Sequence, residues 1–205
     1  MKKIKNIIFD FGGVLLDWNP KYFYRTFFWD EKEMEHFLSN VCTEEWNAEQ
    51  DRGRSFSEGV KLLQFQHPEY REAIQLYSDK WEDMLKSELP EGVNLLHELK
   101  NQGYCIYGLT NWSAETIQIV YHKYNFFKLF DGIVVSGEEK LIKPDIRIYH
   151  VLLDRYGLKA TESVFFDDNV SNVRAAKELG IKAILFDNIS NVRKQLSDIL
   201  TFQSI

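Results

Sequence analysis

Cysteine is scarce in this sequence. Cys42 and Cys105 are the whole complement, too few and too far apart for a disulfide framework or a cysteine-ligated zinc site. Cys105 falls in an expected core strand, where a reduced thiol simply packs. Positive charge is also short: 25 Lys and Arg against 31 Asp and Glu give a net charge of −6, which argues against nucleic acid or a membrane surface as partner. An anionic substrate is not excluded, because a local cluster or a bound cation can invert the local field. Long apolar runs are missing as well. The opening stretch, MKKIKNIIFDFGG, passes from charged to apolar, but the apolar part is too short for a signal peptide. No segment approaches the roughly 18 apolar residues of a membrane span. No internal repeat or low-complexity tract is visible. These absences suggest a reduced, soluble, cytoplasmic protein and leave its oligomeric state unspecified.

At 205 residues and 44% hydrophobic, the chain has material for one large domain or a domain with an insertion. Five short runs read as buried strands: residues 4–9, 104–109, 132–135, 163–166 and 182–186. They are continuously apolar rather than alternating, as in a parallel sheet covered on both faces. Helical patterns separate them from residue 90 onward. Ile117, Val120, Tyr121 and Tyr124 recur at helical spacing, with Ser113 as candidate N-cap, and Tyr149, Leu152, Leu153 and Tyr156 do the same ahead of Gly157. A helix over 170–179 stops at Gly180. This rhythm predicts an α/β fold with a Rossmann-like, doubly wound parallel sheet. Residues 17–89 break it: they show no convincing strand, and four or five helical segments rich in Trp, Phe, Tyr and Glu. We expect 1–16 and 90–205 to form the α/β core and 17–89 an inserted all-helical cap, with Pro90 and Gly92 marking the return.

Three of the strands deliver polar groups at their C-terminal ends, where open α/β sheets bind ligands. The first ends at Asp10, the second at Thr110 and Asn111, the fourth at Asp167, Asp168 and Asn169, and Lys143 precedes the helix expected at 146. Adjacent carboxylates in a partly dry pocket repel and shift upward in pKa unless a cation joins them. Lys143 supplies one positive charge, and a hard divalent ion such as magnesium would supply the rest. Gly12 leaves its own carbonyl free to approach such an ion, and Gly13 permits a sharp turn away from it.

These motifs resemble those of the haloacid dehalogenase superfamily of hydrolases. IIFDFGGVL is similar to the first motif, LTN to the second, Lys143-Pro144 to the third and FFDDNVSN to the fourth. The order is that of the superfamily, and the helical insertion sits where its small-cap members carry a C1-type cap. The resemblance implies that Asp10 attacks phosphorus, that Thr110 and the backbone around Asn111 bind phosphoryl oxygens, and that Lys143 neutralises charge and restrains Asp10. It further implies Mg2+ held by Asp10, the Gly12 carbonyl and Asp168, with Asp167 and Asn172 bracing from behind. The substrate would be a small phosphorylated metabolite.

One position departs from the pattern. Most phosphatases of the superfamily carry a second aspartate two residues after the nucleophile, as general acid for the leaving group; here it is Gly12. General acid catalysis contributes about 10²–10⁴-fold. Three repairs are open: a leaving group good enough alone, as in sugar 1-phosphates; an acid from the cap, with Glu45, Glu49 and Asp51 as candidates; or a water. The DFGGV stretch resembles the sugar-1-phosphate phosphatases with glycine here. Trp18 and Trp112 are candidates to wall the pocket, Asp17 to hold a hinge or face the cleft, and Arg52 and Arg54 to reach substrate. Two rival readings are a 2-haloacid dehalogenase, in which the same aspartate attacks carbon without metal, and a catalytically weak protein that binds a phosphorylated metabolite.

Overall fold

The strand β1 (Asn6–Phe9) is buried along its whole length, which a continuous apolar run requires. The structure, a computed structural model, describes residues 4–201. After β1 come β2 (Leu16–Trp18), the helices α1 (Lys21–Phe27), α2 (Glu31–Asn40), α3 (Glu44–Asp51), α4 (Phe56–Gln66) and α5 (Arg71–Asp79), and then β3 (Leu85–Glu88). Strands and helices alternate from there: α6 (Pro90–Asn101), β4 (Cys105–Thr110), α7 (Ile117–Lys123), β5 (Gly132–Val135), α8 (Ser136–Glu139), α9 (Ile146–Arg155), β6 (Ser163–Asp167), α10 (Val170–Glu178), β7 (Lys182–Leu185) and α11 (Ile189–Thr201).

The main sheet has the order β5-β4-β1-β6-β7 and is parallel throughout. The chain steps outward from β1 through β4 to β5, then returns to the far side of β1 for β6 and β7. The direction of winding therefore reverses at β1, and the C-terminal ends of β4, β1 and β6 bound the crevice where such sheets take ligands. Alternation along β1 divides the core. Ile7 and Phe9 pack with Leu95, Leu96, Val192 and Leu196 of α6 and α11. Ile8 packs on the other face with Ile148, Tyr149, Leu152 and Val173 of α9 and α10. The glycine stops hold as expected, with Gly157 at φ +63° and Gly180 at φ +83°.

Three local expectations are corrected. The stretch from 17 to 89 does contain strand: β2 and β3 pair antiparallel, Leu16 with Glu88 and Asp17 with Ser87. Both are short and carry charged residues, so no apolar run announces them, and their ladder joins the two ends of the helical segment. Cys105 is exposed rather than packed, because it is the first residue of β4. Ser113 does not cap α7. Its hydroxyl accepts from the Glu115 N–H at 3.2 Å, and the helix begins only at Ile117, after Thr116, which makes no side-chain cap. Within the helical segment, Thr43 and Ser55 cap α3 and α4 through their hydroxyls. Among the described residues no helix is long and apolar enough to cross a membrane.

Candidate active site

Lys143 is the centre of the floor. It is 2% exposed, yet its ammonium has a partner for each of its three protons: the Leu109 carbonyl at 2.8 Å, Asp10 Oδ2 at 2.9 Å and Asp167 Oδ2 at 2.7 Å. The ammonium also lies 5.4 Å from the centre of the Phe165 ring. Asn111 clamps the backbone of the same residue, its Oδ1 accepting from Lys143 N at 2.8 Å and its Nδ2 donating to Lys143 O at 3.0 Å. The side chain of Asn111 is thus spent on placing the lysine. Thr110 Oγ1, at the end of β4, is buried without a hydrogen-bond partner. Such an orphan hydroxyl costs about 1–3 kcal/mol, so it marks a donor kept for something that is not protein.

The two aspartates ending β6 differ in their bonding. Asp167 is fully buried with both oxygens engaged: Oδ1 accepts from Asn169 N at 2.8 Å and Asn172 Nδ2 at 3.0 Å, while Oδ2 takes Lys143 and a second contact from Asn172 at 3.1 Å. Asp168 instead lines the cavity. Its carboxylate rests over Gly13, where a Cβ would fall 2.0 Å from Asp168 Oδ2. Gly13 is also at φ +68°, so two independent constraints demand glycine there.

Three carboxylates face one ammonium. Oxygens of Asp10, Asp167 and Asp168 lie within 4.8 Å of one another. Burial pushes Asp10 up to about 8; Lys143 opposes the rise, and Asp167 and Asp168 add to it. Asp168 is raised by burial and by Asp167. Burial works against the charge on Lys143, but Asp10 and Asp167 outweigh it and hold the lysine above its usual range. The cluster is short of positive charge. A hard divalent cation fits this donor set, which offers Asp10, Asp168 and the Gly12 carbonyl, an oxygen that takes no backbone N–H among the described residues. Asp167, already saturated, braces from below.

Above the floor is a cavity of about 350 Å³ whose walls include Trp18, Trp81, Trp112, Asn47, Asp51 and Thr116. Trp81 stacks with Trp18 at 6.2 Å and meets Trp112 edge-on at 5.6 Å. The indole N–H groups of Trp18 and Trp112 and the Thr116 hydroxyl are buried without partners. Of the residues expected at the roof, Trp18, Trp112 and Asp51 are in place and Asp17, Glu45, Glu49, Arg52 and Arg54 are not. Asp17 turns away to accept from the Tyr22 hydroxyl at 2.7 Å, Glu45 is exposed, and Glu49 pairs with Arg52 at 3.4 Å. All five lie outside the cavity walls. Arg54 braces α3 by donating to Gln50 Oε1 and the Trp46 carbonyl. Asp51, the third acid weighed for the roof, does line the cavity, and burial pushes it up to about 7 against the Ser113 N–H. Asn47, Trp81 and Thr116 carried no motif. A larger groove of about 590 Å³, between α6 and α11, is bridged by the Glu98–Arg193 ion pair and brings no comparable cluster together.

The family profile described as haloacid dehalogenase-like hydrolase matches residues 4–180. Sesquiterpene phosphatase astK of Aspergillus oryzae is 28% identical over 183 residues, covering 86% of this chain and 87% of that protein. Drimenol cyclase drtB of Aspergillus calidoustus is 26% identical over 96% of this chain, which spans only 36% of the cyclase. (S)-2-haloacid dehalogenase 4A of Burkholderia cepacia matches over 51% of this chain and 46% of its own, at 27% identity. Among solved structures, a HAD family enzyme of Bacteroides thetaiotaomicron in complex with magnesium and inorganic phosphate superposes with a TM-score of 0.68 at 22% identity, over 92% of this chain and 98% of that one.

Proposed function

The chain belongs to the haloacid dehalogenase-like hydrolases, and on that premise we propose that it is a magnesium-dependent phosphatase of small organic phosphate monoesters. One observation carries the reading: Asp10, pinned by Lys143, lines the same cavity as Asp168 and follows the strand next to the one that ends at the unpartnered Thr110 hydroxyl. In this reading Asp10 Oδ attacks phosphorus and the bond to the leaving oxygen breaks, giving an aspartyl phosphate that water then cleaves. Lys143 favours the ionised form of Asp10 against burial and aims it, and Asn111, Asp167 and Asn172 hold Lys143. Thr110 Oγ1 donates to a phosphoryl oxygen. Asp10, Asp168 and the Gly12 carbonyl would hold magnesium, which when bound supplies the positive charge that offsets repulsion between nucleophile and phosphate. Residues 17–89 act as the cap over a core of 1–16 and 90–205.

The roof bears on the substrate. Three indoles suit a leaving group with an apolar face, and the free indole N–H groups and Thr116 hydroxyl suit one that also carries oxygens. Sugar 1-phosphates meet both conditions. The similarity to a sesquiterpene phosphatase adds isoprenyl phosphates.

The dehalogenase reading also has relatives in its favour. It fits the charge less well, because the carboxylate of a haloacid would enter beside Asp10 and Asp168 with no free cation to receive it. The test is phosphate release from p-nitrophenyl phosphate, glucose 1-phosphate and an isoprenyl phosphate, with magnesium and with chelator, using Asp10→Asn as control. Phosphate release that disappears on chelation and in the variant is expected. Chloride release from 2-chloropropionate that survives chelation, with no phosphate release, would establish the rival.

A further inference from the structure

We infer that Asp51, carried by α3 and lining the same cavity as Asp10, is the general acid that protonates the leaving group. This inference rests on the phosphatase reading and supplies the group that Gly12 lacks.

The argument begins with elimination. The carboxylates of the cavity wall are Asp10, Asp51 and Asp168. Asp10 is tied to Lys143, and Asp168 lies over Gly13 within the cation-binding oxygen set. Among the described carboxylates of the wall Asp51 alone is free of both tasks, and it comes from the helical segment rather than from the sheet edge that carries Asp10 and Asp168.

Its placement is fixed at three points. The Asp51 carbonyl accepts from Ser136 Oγ, and that same Oγ accepts from the Trp112 N–H at 2.8 Å. Asn47 Nδ2 donates to Asp51 Oδ2 at 3.3 Å, and the Ser113 N–H also reaches the carboxyl. Trp112 and Ser113 follow directly on Thr110 and Asn111. The carboxyl is therefore anchored to the segment that carries the proposed phosphate donor, though it belongs to a helix far away in sequence. Burial raises it to about 7, so a proton is available near neutrality, the condition for an efficient acid.

Gly12 completes the picture. A Cβ there would find only the Trp112 ring, at 3.9 Å, and the residue is not at positive φ. Nothing in the backbone or the packing forces glycine at this position. An acid from the roof makes one on the nucleophile's own loop unnecessary.

The proton balance is complete. As the Asp10 oxygen bonds to phosphorus and the ester bond breaks, the Asp51 proton passes to the leaving oxygen and the alcohol departs. The Asp51 carboxylate then takes a proton from the water that attacks the aspartyl phosphate. Inorganic phosphate and free Asp10 result, with Asp51 again protonated.

The experiment compares wild type, Asp51→Asn, and Asp51→Asn combined with Gly12→Asp on p-nitrophenyl phosphate and an alkyl phosphate such as glucose 6-phosphate. Leaving-group dependence separates acid catalysis from a structural role. The wild type is expected to turn over both. In Asp51→Asn the loss on the alkyl ester should exceed that on the aryl ester by about 10²-fold or more, and Gly12→Asp should recover part of it. Equal losses on both esters, with no recovery, would assign Asp51 a structural role and overturn the inference. So would a wild type active on the aryl ester alone. A wild type that releases phosphate from neither ester removes the phosphatase reading itself. Near-UV circular dichroism and inorganic-phosphate binding of each variant establish that it is folded.

Discussion

The floor and the roof of the cavity are built on different principles. The floor is organised around one saturated ammonium: Lys143 touches Asp10, Asp167 and the Leu109 carbonyl, and Asp167 is saturated by Lys143, Asn169 and Asn172, which leaves Asp168 and the Thr110 hydroxyl open. The roof is sparsely bonded. Its indoles meet ring against ring, and two of their N–H groups and a threonine hydroxyl lack partners. A saturated lysine at the centre of the floor fixes a reaction centre that has one geometry. An unsaturated roof leaves its donors to the substrate, so reaction type and specificity are held by separate parts of the chain.

Substitutions sharpen the contrast, beginning with the most severe. Asp10→Asn keeps the volume and much of the bonding but removes the nucleophile, and should lower turnover by about 10⁴-fold or more with little change in melting temperature; steady-state phosphate release and thermal unfolding check it. If the melting temperature falls together with activity, floor and roof are not separable in this way. Lys143→Met leaves Asp10 and Asp167 buried without their cation, and should cost about 3–5 kcal/mol of stability at neutral pH by urea unfolding.

Asp51 provides the contrast from the roof. Its folded pKa of about 7 lies above the ordinary aspartate value near 3.8. A carboxyl raised in this way favours folding fully only while it is protonated in both states, so its contribution is lost as pH climbs from about 4 through about 7. Asp51→Asn removes that loss. The variant should therefore gain stability relative to wild type across this window, by a few kcal/mol at most, as read by unfolding free energies at pH 5 and pH 8. A difference that does not move with pH would mean that Asp51 is not held protonated by the fold.

Gly13→Ala should cost roughly 1–2 kcal/mol of stability for the positive φ, and should also displace Asp168 and raise the magnesium concentration needed for half-maximal activity. Gly157→Ala is its control. Gly157 shares the positive φ at +63°, but a Cβ there meets nothing within 4 Å, so it should lose similar stability without changing the magnesium requirement.

The sequence discloses the floor better than the roof for physical reasons. Strands buried on both faces, such as β1 and β6, must be continuously apolar, and the polar residues that end them stand out. In β2 and β3 the ladder exists only because tertiary structure brings Leu16 opposite Glu88, and no local pattern records that. Ser113 looked like a cap because its hydroxyl does bond a nearby N–H, but that bond closes a turn ahead of the helix. The roof acids show the limit most clearly. Glu45 and Glu49 share one stripe of α3, and Asn47 and Asp51 another, by the four-residue spacing of a helix. Periodicity separates the stripes. It cannot say which of them faces a cavity whose other walls come from residues 81 and 112.

The position of β1 also bears on how the chain folds. Asn6 pairs with Cys105 on one side and Ser163 on the other, so the strand made first has no sheet partner until much of the chain has been synthesised. Contacts of such long sequence separation form slowly and leave apolar edges exposed meanwhile. Asp10, the residue after this strand, acquires its lysine only when the segment around residue 143 has arrived. During synthesis the nucleophile appears well before the lysine that places it.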